Sequence, residues 1–217
     1  MKTILCFGDS NLRGFIPGTF DEKSGLAARY PKNKRWPGIL SSQLGKDYDV
    51  VEEGINGRSI ASDEITPGRP FRNGMALLPA CLESHYPIDV VIFWLGTNDV
   101  KLQYNKTPAE ITEDMRQLIH VVKNSNRGPN LSAPKILLVV PHPVIKINNL
   151  HPQYDGIAIE KSQQLADLYA AMTKEKNVEF LDAGLFVKAS VLDGIHLDEK
   201  SHQILGEVVA KKVKEIL

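Results

Sequence analysis

This chain of 217 residues is short of several things, and each shortage narrows what it can be. It has only two cysteines, Cys6 and Cys81, too few for a disulfide framework and without metal-ligand spacing. Two buried thiols in a reducing, cytoplasmic setting are the expectation. Neither sign of charge is in excess, with 26 Lys+Arg against 26 Asp+Glu. That balance leaves no electrostatic footprint for nucleic acid or an anionic membrane, so the expected partner is a small or neutral molecule. No apolar run nears the roughly 18 residues of a membrane span. Met1-Lys2-Thr3-Ile4-Leu5-Cys6-Phe7 runs straight into Gly8-Asp9-Ser10, too short a stretch for the apolar region of a signal peptide, so none is expected. No phosphate-cradling glycine pattern follows the first apolar run, which argues against a flavodoxin-type cofactor protein, and no cofactor is expected.

What is present is a regular alternation. Short runs rich in β-branched residues at 3–7, 48–53, 89–95, 135–140 and 178–181 have the length of buried strands. Helical patterns lie between them near 36–44, 73–84, 108–123 and 154–174, and a last one runs from about 199 to 217. Thr107, Pro108 and Glu110 form a helix-start signature with a capping box. In the last helix Ile204, Leu205, Val208, Val209, Val213 and Ile216 make one stripe. Buried strands alternating with amphipathic helices imply right-handed βαβ units and a mostly parallel sheet covered on both faces. The expected fold is a single α/β domain spanning 1–217, a three-layer α/β/α sandwich.

In such sheets ligands bind beyond the carboxyl ends of the strands. Gly8-Asp9-Ser10 follows the first strand, Gly54 to Ser59 the second and Gly96-Thr97-Asn98-Asp99 the third, while Asp193-Gly194-Ile195-His196 lies after the fifth. All four loops are predicted to meet at one edge. A serine hydroxyl needs a base to take its proton and a carboxylate to orient that base. Asp193 and His196 share one loop and could supply both to Ser10. Donors for a developing oxyanion are available as the Ser10 N–H, a backbone N–H at Gly57 and the Asn98 amide.

These four blocks, in this order, resemble the SGNH (GDSL) hydrolase superfamily. Ile4 to Ser10, Glu52 to Arg58, Leu95 to Asp99, Asp182-Ala183-Gly184 and Asp193 to His196 look like its arylesterase/acyltransferase branch. The resemblance implies a flavodoxin-like sandwich with a five-stranded parallel sheet, Ser10 as nucleophile, His196 as base and then acid, and Asp193 as its orienting carboxylate. It also implies an oxyanion hole of Ser10, Gly57 and Asn98, a small ester as substrate with short acyl groups preferred, and a homo-oligomer. Asn11 stands where the superfamily's name-giving motif has leucine, a departure expected to shape the substrate pocket. The implied reaction is hydrolysis or transfer of an acyl group. Removal of acetyl from sugars is the alternative within the superfamily, and a non-catalytic small-molecule-binding module is the rival from another class.

The remaining candidates are weighed by position. Trp94 ends the third strand and is read as core packing or acyl-pocket lining. His142 and His151 lie in a proline-stiffened stretch after the fourth strand, with no carboxylate or cysteine at ligand spacing, so His142 is a substrate-loop candidate and no metal is expected. Asp9, Asp99 and Asp182 read as carboxylates that brace loops. His85, His120 and His202 fall on or beside helices. Arg13, Trp36, Phe71 and Arg72 are expected at the pocket rim. The segments 15–35 and 61–72 lack a period and are expected to be lids or contact surfaces.

Overall fold

The computed structural model describes residues 1–21, 23–65 and 68–217. Glu22, Thr66 and Pro67, parts of the two segments expected to be lids, lie outside the described residues. Five strands, β1 (Lys2–Gly8), β2 (Tyr48–Gly54), β3 (Val90–Trp94), β4 (Lys135–Val140) and β5 (Glu179–Asp182), form one sheet in the order β2-β1-β3-β4-β5. Every neighbouring pair is parallel. Each strand lies within two residues of its expected place. The helices are α1 (Ser10–Arg13), α2 (Trp36–Leu44), α3 (Gly74–His85), α4 (Pro108–Lys123), α5 (Ile157–Lys176) and α6 (Glu199–Ile216).

The period of two along the strands divides the core into layers. Leu5, Phe7, Val91 and Phe93 face the side where α3, α4 and α5 contribute Leu78, Leu82, Ile111, Met115, Leu165 and Tyr169. Ile4, Cys6, Val90, Ile92 and Trp94 face the other side, against Trp36 and Leu40 of α2 and Leu205, Val209 and Val213 of α6. Because β1 and β3 are buried on both faces, they read in sequence as continuous apolar runs. Among the described residues no helix is long and apolar enough to cross a membrane. Cys6 is buried and Cys81 half-buried, and both are free thiols.

Two details depart from the sequence expectation. The helix expected from Tyr154 starts at Ile157, because Gly156, at φ 51°, separates it from a tight turn over Pro152–Tyr154. The four-residue helix α1 has no periodicity to reveal it. Its Asp9 cap accepts a hydrogen bond from Asn11 N, and Gly14 closes it in a left-handed conformation.

The register decides where the loops go. Gly8 pairs with Gly54 on one side and with Trp94 on the other, so β1, β2 and β3 release their chains at one level. Helix α1 then packs tightly over both glycines. A Cβ at Gly54 would lie 2.6 Å from Arg13 N, and one at Gly8 2.7 Å from the Trp94 carbonyl. A side chain at Gly54 would push against the end of α1 at Leu12 and Arg13, and one at Gly8 against the end of β3 and Leu12.

Across the second layer, α2 starts without a side-chain cap of its own. Its first N–H, on Trp36, donates instead to Nδ1 of the buried His202 on α6, at 3.2 Å. Burial, foremost, pushes the His202 imidazole down from 6.5 to about 3, so it stays the neutral acceptor that the bond needs. The unfolded chain takes up a proton below pH 6.5 and the folded chain does not until near pH 3. The stability contributed by a neutral His202 is therefore full above pH 6.5 and declines as the pH falls. By linkage this amounts to about 2 kcal/mol at pH 5. Urea unfolding should show the deficit of a His202→Asn variant relative to wild type shrinking by about that amount between pH 7 and pH 5; a constant deficit would contradict the assignment.

Candidate active site

At the shared level of the strand ends, Ser10 opens α1 and His196 approaches it from the loop before α6. His196 Nε2 lies 2.9 Å from Ser10 Oγ, and its Nδ1 lies 2.7 Å from Asp193 Oδ2. The other carboxylate oxygen, Oδ1, accepts the N–H groups of Ile195 and His196 at 3.0 and 2.9 Å. Asp193 is thus fixed by its own loop before it touches the imidazole. Burial works to raise its carboxyl, but the imidazole and those two N–H groups outweigh it and hold the group below the usual carboxylate range. An ionised Asp193 selects the tautomer with the proton on Nδ1 and leaves Nε2 free to accept from the serine. Ser10 is 5 % exposed and the His196 side chain 12 %, so both stay reachable from solvent.

Phe15, one residue beyond the close of α1, stacks on His196 with ring centroids 3.8 Å apart and planes within 9°. Its N–H donates to the Ser10 carbonyl at 3.0 Å. The imidazole is therefore held at both nitrogens and on one face. Nothing in the sequence marks Phe15 for this, since it sits at the head of a segment without a period. That segment doubles back, with Tyr30 N donating to the Gly14 carbonyl at 2.7 Å and Arg29 Nε to the Arg13 carbonyl at 2.7 Å.

The loops that carry the three expected oxyanion donors are joined through Asn98, whose amide bonds to Asp9, next to Ser10, and to Arg58, next to Gly57. Ser10 N–H is at the first position of α1, and among the described residues neither it nor the Gly57 N–H donates to an acceptor. Gly57 is buried with φ 79°, a backbone conformation that disfavours any side chain, and the far end of the Arg69 side chain lies against it, with Nη2 2.7 Å from the Cβ position. Asn98 is buried, and its Nδ2 donates to the Arg58 carbonyl at 3.1 Å and to Asp9 Oδ2 at 3.4 Å. Arg58 lies over the Phe7 ring at 3.9 Å and donates to the carbonyls of Gly8 and Glu53. It ties the ends of β1 and β2 together from beneath.

The loop carboxylates act as braces. Asp9 Oδ1 accepts from Asn11 N at 2.9 Å, Asp99 Oδ1 from Ile60 N at 2.8 Å, and Asp182 Oδ1 from Gly184 N at 2.8 Å. Burial, foremost, lifts Asp9 and Asp99 to about 7. Asp182 is occupied by its own turn, whereas Asp193 is the carboxylate bonded to His196.

Three substrate-contact expectations are corrected. Asn11 is fully buried, its Oδ1 accepting from Leu197 N at 2.9 Å and its Nδ2 donating to the Ile195 carbonyl at 3.4 Å. Both ends of its amide are spent on the loop that carries His196. Trp94 is fully buried between Trp36 and His142, and so belongs to the core. His142 is buried too, with Nδ1 facing the Pro143 carbonyl at 3.1 Å, and burial pushes it down to about 4; it is a neutral core histidine. Of the residues expected at the rim, Trp36 is also in the core, Phe71 is exposed, and Arg72 comes within 3.8 Å of the Gly57 Cβ position. Among the described residues no cluster of His, Cys, Asp or Glu has the makings of a metal site.

A serine, an imidazole and a carboxylate in series at the carboxyl edge of a parallel sheet is the arrangement of a serine hydrolase. The profile of the GDSL-like lipase/acylhydrolase family matches residues 6–204, and the chain belongs to that family; its enzyme class is that of the carboxylic ester hydrolases. An inhibitor-bound aryl esterase of M. smegmatis is 36 % identical, with each chain covered in full and a TM-score of 0.92. A carbohydrate acetylesterase from Sinorhizobium meliloti is also 36 % identical over the whole of both chains, with a TM-score of 0.91. An acetylxylan esterase of Xylanibacter ruminicola is 26 % identical over 97 % of this chain, which spans 43 % of that protein's length.

The buried Asn11 makes a direct test of the site's architecture. Asn11→Leu, which installs the residue of the superfamily's name-giving motif, leaves Leu197 N–H without its acceptor. Unfolding free energy should fall by about 1–3 kcal/mol with KM little changed; unaltered stability with a shifted KM would restore Asn11 as a substrate contact.

Proposed function

We propose that the chain is a serine esterase that cleaves short acyl esters through an acyl-enzyme on Ser10. His196 takes the Ser10 proton as the hydroxyl attacks the ester carbonyl. The tetrahedral oxyanion is held by the N–H groups of Ser10 and Gly57 and by the Asn98 amide, each worth about 3–4 kcal/mol when preorganised in a dry site. His196 then returns the proton to the leaving alcohol, and water or a second alcohol releases the acyl group. The observation that carries this reading is the unbroken series Asp193–His196–Ser10 at 2.7 and 2.9 Å.

The acyl group is small, acetyl foremost. The alcohol side divides two readings: an aryl or other simple ester, or an acetylated sugar. Aryl esterase and carbohydrate acetylesterase neighbours at equal identity support each. The non-catalytic module is disfavoured by the filled constellation. A homo-oligomer in the cytoplasm completes the proposal: Leu185, Phe186, Val191 and Leu192 are exposed close in sequence to the loop of His196, a face that a second subunit would cover. Partner and compartment both follow from the resemblance and from the two free thiols.

Ser10→Ala and His196→Ala should each cut hydrolysis of p-nitrophenyl acetate by at least about 10⁴-fold. Turnover near wild type in Ser10→Ala would end the proposal, and rates on acetylated xylose against aryl acetates would separate the two alcohol classes.

A further inference from the structure

The amide of Asn98 has two chemically opposite ends, and only one of them can serve an oxyanion. Turned by 180° about its last bond, the side chain would aim a carbonyl oxygen at the developing negative charge. It would also set that oxygen against the Arg58 carbonyl and the Asp9 carboxyl, acceptors that now receive Nδ2 at 3.1 and 3.4 Å. On the far side of the amide, the Tyr154 hydroxyl lies 2.9 Å from Oδ1. We propose that Tyr154 is the positioning residue of the oxyanion hole: its hydroxyl donates to Asn98 Oδ1 and thereby holds Nδ2 toward the reacting carbonyl.

The surroundings of Tyr154 suit that task. The side chain is 5 % exposed, so its hydroxyl cannot exchange freely between Asn98 and bulk water. Burial, foremost, pushes the phenol well above its ordinary value, and the group therefore remains a donor throughout the range in which an esterase works. The Lys101 ammonium stands 5.6 Å from the centre of the ring. The turn that carries Tyr154 is closed by its own N–H on the His151 carbonyl at 2.8 Å. It is also clipped to the segment that follows Asn98, where Gln103 N donates to Gln153 Oε1 at 2.8 Å. Hydroxyl and amide thus belong to one rigid unit, although 56 residues separate them in sequence. The longer contact, to Asp9, is the one a developing oxyanion displaces, while the Arg58 carbonyl and the Tyr154 hydroxyl keep the amide in plane.

The inference rests on the esterase reading, and the test separates the two. In the intact protein Tyr154→Phe removes one oxygen. It should lower kcat for p-nitrophenyl acetate about 5- to 10-fold, the equivalent of one neutral hydrogen bond, with KM within about twofold of wild type. In an Asn98→Ala background the same change should alter kcat by less than about twofold, because there is no amide left to orient. Equal losses in both backgrounds would assign Tyr154 to general packing, and an unchanged kcat in the single variant would remove the orienting role. Should the variant fold poorly, a crystal structure of the wild type with a phosphonate on Ser10 decides: Nδ2 on the phosphonyl oxygen with Tyr154 on Oδ1 supports the proposal, and an amide without the tyrosine contact overturns it. Hydrolysis that survives Ser10→Ala would defeat the esterase reading itself; hydrolysis lost there but indifferent to Tyr154→Phe would defeat this inference alone.

Discussion

A 2.9 Å contact between residues 186 apart in sequence, Ser10 and His196, requires both ends of the chain to be anchored to one edge of the sheet. The first end is anchored by β1, which pairs with β2 on one side and β3 on the other and leaves Ser10 two residues beyond its last register partner. The second end is anchored by α6, which shares a core layer with α2 and lends it His202 as a cap. Asn11 then joins the two directly, through Leu197 N and the Ile195 carbonyl. Because it is buried and neutral, that amide holds the nucleophile helix to the base without adding a charge to the site.

The electrostatics follow a similar economy. Asp193 is the carboxylate kept below the usual range beside His196. Burial raises Asp9 and Asp99 to about 7, and it lowers His142 to about 4 and His202 to about 3. Burial thus favours the neutral form of each of these four groups, and at Asp9 and Asp99 this limits the negative charge set against a forming oxyanion. The imidazole at the reacting centre is fixed instead by contact: Asp193 at one nitrogen, Ser10 at the other, Phe15 on a face.

The layered fold could be read because its signals are local and periodic. Runs such as Val90–Trp94 and the capping box at Thr107 and Glu110 declare themselves within a few residues. The rule that loops converge at the strand ends points to the contact of Ser10 with the loop that carries Asp193 and His196. What escaped were roles set by distant partners. In sequence Asn11 reads as pocket-shaping because its neighbours are the motif, whereas its hydrogen bonds go to residues 195 and 197. Trp94 and His142 stand next to site loops in the chain yet turn inward, Trp94 onto Trp36 in the core layer of α2 and α6 and His142 onto Trp94. In sequence Tyr154 resembles the start of a helix, and Phe15 the start of a featureless loop; each acquires its place only when the sheet brings the loops together.

The central claim is that Ser10 is a nucleophile activated by His196, and covalent trapping addresses it most directly. Treating the intact protein with an organophosphonate and mapping the modified peptides should find one adduct, on Ser10, with its rate falling sharply in His196→Ala. A protein that stays unmodified, or that carries the adduct on another residue, would contradict the account.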